Sequence, residues 1–183
     1  MTQLSGLSYI ASPSSTVAIR RLEPQRAAEA KRVILSVAHG IFQWRTPLEE
    51  IVRFCDQHGE FRDVDEVQRH YFDRQGLFLV ALDNGVVVGT GAIRRLDDRM
   101  CELKRLWLLP AYQGQGVGYR LIQQLFDFAR AAGYRIVRLD TDARQERAIR
   151  FYERLGFRRI EPYYDFQSAL FEGEGVYMEA ALY

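Results

Sequence analysis

The stretch Leu103–Leu125, LKRLWLLPAYQGQGVGYRLIQQL, joins an apolar run to an amphipathic one through Gly114, Gly116 and Gly118. Glycine costs chain entropy, so three of them at alternate positions need a stronger reason than a change of direction. CELKRLWLL, ending at Leu109, reads as a strand, and the spacing of Leu121, Leu125 and Phe128 predicts a helix over Gly114–Ala132. The glycines therefore stand where a strand's C-terminal end meets a helix N-terminus. Backbone N–H groups at that end have no partner within the helix, and the helix dipole adds partial positive charge. Without side chains in the way, such donors can converge on a phosphate or pyrophosphate.

Outward from this loop, the period of the sequence changes. VAIRRL (residues 17–22) reads as a short strand and Pro24–Ala38 as a helix with Pro24 in its first turn. TPLEEIVRFCDQH carries Thr46 as a cap with Glu49 three residues on, and DVDEVQRHYFDRQG repeats this pattern with Asp63 and Glu66 before stopping at Gly76. LFLVALDNGVVVGTGAI then gives two β-rich runs around Asn84-Gly85, a strong hairpin signal. RIVRLDT reads as a buried strand, RQERAIRFYERLG as a helix, and FRRI and VYMEAAL as late strands. Early helices, a hairpin, a single β-α-β crossover and late strands make an α/β fold with a mixed, mostly antiparallel sheet and flanking helices. A Ser-rich tail over residues 1–16 precedes a single domain over residues 17–183.

Composition narrows the function classes. The chain has 183 residues, 48% hydrophobic and 27% charged, long enough to bury a core without disulfide or metal staples. With 25 basic and 24 acidic residues its net charge is +1, so no global field draws in nucleic acid or an anionic membrane. The start lacks a secretory pattern, and Cys55 and Cys101 suit a reducing compartment, so cytoplasm is the expected location. His39, His58 and His70 assemble no metal set, and Cys55-x-x-His58 has no second ligand pair.

Three glycine loops compete for Gly114–Gly118. A Walker loop needs Gly-Lys-Ser/Thr, which is absent. A dinucleotide turn could use Gly114-x-Gly116 with Asp140, but Tyr119 stands where a third small residue should pack, and PAYQ separates the strand from the loop. The third reading fits residue by residue. Gln113-Gly114-Gln115-Gly116-Val117-Gly118 resembles the acetyl-CoA pyrophosphate loop of the GNAT superfamily of N-acetyltransferases, Arg/Gln-x-x-Gly-x-Gly/Ala. RLDTDARQERAIRFYERLGF resembles the second block of that family, with Tyr152, Gly156 and Phe157 matching Tyr-x-x-x-Gly-Phe. The resemblance runs from about Val17 onward. One departure is Gln145, where that block often has Asn.

The resemblance implies direct acetyl transfer from acetyl-CoA to an amine, without a metal or an acyl-enzyme. It implies that Gln113–Tyr119 hold the cofactor together with Gln145 and Tyr152, and that the main chain of Leu106, Trp107 and Leu108 faces the thioester at a strand bulge. Tyr152 is the implied general acid toward the CoA sulfur, although an aromatic at 152 also suits the core. Glu102 stands ahead of Asp140 as the base, with a water chain as a third route. Phe42, Trp44, Tyr163 and Tyr164, in HGIFQWRTP and EPYYDFQSAL, are candidate substrate contacts. By family analogy the partner is a small-molecule amine. A peptide N-acetyltransferase and a non-catalytic acyl-CoA-binding module remain alternatives, and a homodimer is left open.

Overall fold

The computed structural model describes residues 17–164 and 173–183, so the expected tail over residues 1–16 lies outside it. A seven-stranded sheet has the order β1-β2-β3-β4-β5-β7-β6. β1 is Ala18–Arg21, β2 Leu77–Asp83, β3 Val86–Arg95, β4 Met100–Leu108, β5 Ile136–Asp142, β6 Arg158–Ile160 and β7 Gly175–Ala181. Among the described residues only β4 and β5 pair in parallel, across the crossover helix α5, Val117–Ala131. The β2–β3 hairpin turns where Asn84 and Gly85 both take positive φ, 48° and 82°, as the Asn-Gly signal demands.

Helices cover both faces. Leu121, Leu125 and Ile122 of α5 pack one face together with Cys101, Leu103, Val137 and Leu139. On the other, α1 (Ala27–Phe42) and α2 (Leu48–His58) pack with Phe78, Val80 and Ala92. This second layer covers the β1–β4 side of the sheet, and the β4–β5–β7 side carries polar residues on the same face.

Two helix starts differ from the sequence pattern. α2 begins at Leu48 with Pro47 at its cap and no side-chain bond, so Thr46 does not cap it; instead the Thr46 carbonyl lies 2.9 Å from His39 Nε2. The helix expected from Asp63 is broken into α3, Arg62–Asp65, and α4, Val67–His70, with Glu66 between them at φ −104° and ψ 44°. A tertiary demand overrides the cap here. The Asp63 carboxylate accepts from Tyr71 Oη at 2.7 Å and from Arg105 Nη2 at 2.7 Å rather than from its own helix.

β4 is irregular in a way that matters for the site. Thr90 pairs with Trp107 and Ala92 with Lys104, so Arg105 and Leu106 together oppose Gly91. Arg105 takes φ 54°, a left-handed conformation that costs a side-chain-bearing residue roughly 1–2 kcal/mol. The expected bulge is present, centred one residue before the Leu106–Leu108 run.

Candidate active site

β4 and β5 pair only from Met100↔Ile136 to Glu102↔Arg138, after which the two strands part. Three charged side chains meet where they diverge. Lys104 Nζ lies 3.7 Å from Glu102 Oε2 and 3.6 Å from Asp140 Oδ1, bridging the opening. Glu102 and Lys104 alternate on one strand face, which is the period-2 signal that places them together.

The two carboxylates differ in access. The Glu102 side chain is 0% exposed and accepts from Arg94 Nη2 at 2.5 Å and Tyr163 Oη at 2.8 Å. Asp140 keeps 12% of its side chain exposed. It interacts with the Tyr164 hydroxyl, and burial followed by the Asp140 charge pushes that phenol's pKa up. Tyr163 is pushed up in the same way by burial and then by Glu102. Access therefore ranks the two carboxylates in the reverse of the sequence-based order. Glu102 is a filled hydrogen-bond hub, while Asp140 faces the opening. Glu102→Gln is expected to cost about 1–3 kcal/mol of stability through its charge-assisted bonds, measurable by urea unfolding.

Tyr152 lies on α6, Glu146–Arg154, packed against Phe157 with ring centroids 5.7 Å apart. It is buried and belongs to the core cluster. Its hydroxyl has no hydrogen-bond partner among the described residues. Burial first and the nearby Asp140 charge second raise its pKa well above the ordinary phenol value.

At the end of β4 the glycine loop meets α5. Gly114 and Gly116 have φ 78° and 79°, conformations that favour glycine, and a Cβ on Gly116 would meet nothing within 4 Å. Gly116 caps α5 without any side-chain bond, and the first intrahelical donor is Arg120 N to Gly116 O at 3.0 Å. The N–H groups of Val117, Gly118 and Tyr119 therefore have no partner within the helix, and Cβ atoms on Gly114 and Gly118 would meet only Arg147 Nη2 and Leu108 Cδ2, each at 3.9 Å. Gln113 braces the loop: its Nε2 donates to Leu108 O at 2.9 Å and its Oε1 accepts from Arg147 Nη1 at 2.9 Å. Gln115 Nε2 donates to Ala111 O at 2.6 Å, and the Tyr119 ring is exposed.

The remaining candidates divide between two places. Tyr163 and Tyr164 pack on each other and on Tyr177, with centroids 5.0–5.6 Å apart, over the two carboxylates. Phe42 and Trp44 pack ring against ring, and Arg144 lies over the Phe42 ring at 4.5 Å, beyond the C-terminal end of β5. Gln145 starts α6 beside them, its N–H bonded to Asp142 O at 2.9 Å. Residues 165–170 of EPYYDFQSAL lie outside the described residues. Sequence reading missed Arg94, whose approach to Glu102 depends on the β3–β4 register, and Arg147, whose Nη2 would lie 3.9 Å from a Cβ on Gly114. No local signal marks either residue. Among the described residues no group of three or more His, Cys, Asp or Glu is placed to hold a metal, and no helix is long and apolar enough to cross a membrane.

A parallel strand pair that parts inside a mostly antiparallel sheet, beside a glycine loop at a helix N-terminus, is the arrangement that the GNAT resemblance implies. The model of the acetyltransferase (GNAT) family matches residues 39–157, and the chain belongs to that family. It is 37% identical over 101 residues to the IAA acetyltransferase of Azospirillum brasilense, covering 51% of this chain and 66% of that protein. To N-acetyltransferase 8F1 of Mus musculus it is 31% identical over 126 residues, covering 66% of this chain and 55% of that one. The matched stretch thus spans about half to two thirds of these curated relatives. An acetyltransferase structure from Streptococcus agalactiae superposes with TM-score 0.73 at 26% identity, covering 91% of this chain and 98% of that one. The PaiA N-acetyltransferase of Thermoplasma acidophilum, solved with coenzyme A, shares the fold with TM-score 0.72 at 18% identity, covering 91% and 99%.

Proposed function

We propose that this protein transfers the acetyl group of acetyl-CoA directly to a primary amine of a small molecule. The observation that carries the proposal is the opening between β4 and β5, with Asp140 and Lys104 on one side and the unpartnered N–H groups of Val117–Tyr119 at its end. A helix N-terminus where a Cβ on Gly116 would meet nothing within 4 Å fits a pyrophosphate, with Arg147 beside Gly114 adding positive charge. Bound acetyl-CoA would supply the thioester, an acyl group already activated for transfer. The main chain at Leu106–Leu108, re-aimed by the bulge, offers donors for the oxygen of the acyl carbonyl.

An alkyl amine with a pKa near ~10 is mostly protonated at neutral pH and must lose a proton before it attacks. Asp140, with access to the opening, is the acceptor of that proton, directly or through water; Glu102 holds Arg94 and Tyr163 in place. As the new N–C bond forms and the C–S bond breaks, Tyr152 gives its proton to the leaving sulfur. A hydroxyl with no hydrogen-bond partner among the described residues supports that role, while its raised pKa makes the phenol a weaker acid and keeps the expected contribution modest. Tyr163 and Tyr164, hydrogen-bonded to the carboxylates at the opening, support a compact acceptor in preference to an extended peptide.

The experiment is the rate of Tyr152→Phe and wild type from pH 6.5 to 9.5, with thermal stability measured alongside. The variant keeps the ring and loses the hydroxyl. Turnover is expected to fall by roughly ten- to a hundredfold near neutral pH, in the lower range for general acids. The deficit should shrink as pH passes the thiol's ordinary pKa of ~8.5, because the thiolate then leaves unaided. Equal rates at pH 7 would remove Tyr152 from the mechanism.

A further inference from the structure

We propose that Asp63, on the helical layer and outside the opening, is a positioning residue that holds the β4 bulge in the shape the thioester site requires. The proposal rests on the acetyltransferase reading and concerns how this chain stabilises a strained strand.

The bulge reverses the alternation of β4. Before it, Cys101 and Leu103 face the α5 side, while Glu102 and Lys104 line the polar opening. After it, the even-numbered Leu106 and Leu108 pack on the α5 side and Trp107 packs on the α1–α2 side. One extra residue therefore decides which way the main chain of Leu106–Leu108 presents its N–H groups. Without it, every side chain from Leu106 onward would change face.

A left-handed arginine does not sustain such a bulge by itself, because its Cβ opposes that conformation. The chain holds Arg105 from both ends. Thr90 Oγ1 donates to the Arg105 carbonyl at 2.6 Å, fixing the peptide. At the other end the guanidinium forms a two-pronged pair with Asp63, Nη2 to Oδ1 at 2.7 Å and Nε to Oδ2 at 3.1 Å. Arg105 Nη2 also donates to Glu60 O at 3.2 Å, and the guanidinium lies 4.4 Å from the Phe61 ring centroid. Asp63 is itself fixed by the hydroxyl of the buried Tyr71 at 2.7 Å. Burial alone would push the Asp63 carboxyl up, but Arg105 outweighs it and the group lies below its ordinary value. A planar fork of this kind sets orientation as well as distance, which a lysine at 105 would not do.

The same contact explains why the segment from Arg62 to Arg74 is not one helix. Asp63 is drawn to the strand, and the chain breaks at Glu66. A local helix signal gives way to a long-range anchor.

The test compares Asp63→Asn, Arg105→Gly and the double variant with wild type, by steady-state kinetics, coenzyme A binding and amide NMR. In wild type, the Leu106–Leu108 amides should distinguish acetyl-CoA from coenzyme A, because only the former carries the acyl carbonyl. Asp63→Asn should lower kcat roughly tenfold, less than the hundredfold that a 1 Å misplacement can cost. Its Leu106–Leu108 amides should lose that distinction, while Val117–Tyr119 respond to coenzyme A as in wild type. Glycine takes φ 54° unaided, so adding Arg105→Gly to the Asp63→Asn variant should recover most of kcat. The single Arg105→Gly variant removes strain and anchor together but leaves Asp63 buried without its cation, so it should lose stability while its kcat stays close to wild type, even if Asp63→Asn fails to fold. An Asp63→Asn protein with wild-type kcat and unchanged Leu106–Leu108 amides overturns the proposal, as does a kcat that glycine leaves unrescued. A wild-type protein whose Val117–Tyr119 amides ignore coenzyme A overturns the acetyltransferase reading itself.

Discussion

Gly118→Asp should weaken acetyl-CoA binding by roughly a hundredfold or more, about 2.7 kcal/mol, with no loss of thermal stability. The two effects separate because Gly118 lies inside α5, not in its left-handed cap. No positive φ is required there, and a Cβ would meet only Leu108 Cδ2 at 3.9 Å. A side chain at this position is therefore accommodated by the fold. An aspartate in a helix's first turn satisfies N–H groups and complements the dipole, and it replaces a poor helix former. Its carboxylate also occupies the donors that would meet the pyrophosphate and repels that anion. Stability should hold or rise while binding collapses. Calorimetric titration with acetyl-CoA and a melting curve on the same sample check both. Gly116→Val is the less clean variant, because φ 79° strains any side chain whether or not a ligand binds there. Wild-type affinity in Gly118→Asp would move the cofactor away from this loop.

Asp140→Asn should lower turnover on the order of a hundred- to a thousandfold, within the range for loss of a general base. The amide keeps the size of the carboxylate and can still meet the Tyr164 hydroxyl, so the opening retains its shape. What it loses is the capacity to accept a proton. Coenzyme A affinity should be unchanged, because the donors proposed for the pyrophosphate lie elsewhere, at the start of α5. Glu102→Gln should show the opposite balance, with a larger loss of stability and a smaller loss of rate. A reversed outcome, in which Glu102→Gln is slow and Asp140→Asn is not, would return the base to Glu102 as the sequence alone suggests. Steady-state rates at saturating acetyl-CoA, with unfolding curves for both variants, separate the two.

The parts of this site legible in the sequence are those whose physics is local. The glycine loop announces itself because backbone donors free of side chains need glycine at fixed offsets, and Asn84-Gly85 announces its hairpin for a similar conformational reason. Tyr152 is legible only through the motif in which it stands, since its core packing is what any buried aromatic would show. Where several elements converge, local reading fails. Glu102 reads in the sequence as an open carboxylate, and no local pattern shows that the β3–β4 register sets Arg94 opposite it or that Tyr163 hydrogen-bonds to it. Asp63 looks like a helix cap until Arg105, 42 positions along the chain, claims it. Thr46 fails as a cap because Pro47 takes that place. For Asp63 a short-range preference worth about 1 kcal/mol yields to charge-assisted contacts worth more.

The most direct test of acetyl transfer is thiol release from acetyl-CoA across a panel of small primary amines, amino acids and short peptides, with the acceptor's mass read afterwards. The predicted result is turnover with at least one small amine, release of free coenzyme A and an N-acetylated product, with peptides the poorer acceptors. Tight binding of acetyl-CoA with no thiol released by any acceptor would contradict the enzyme and leave an acyl-CoA-binding protein in its place.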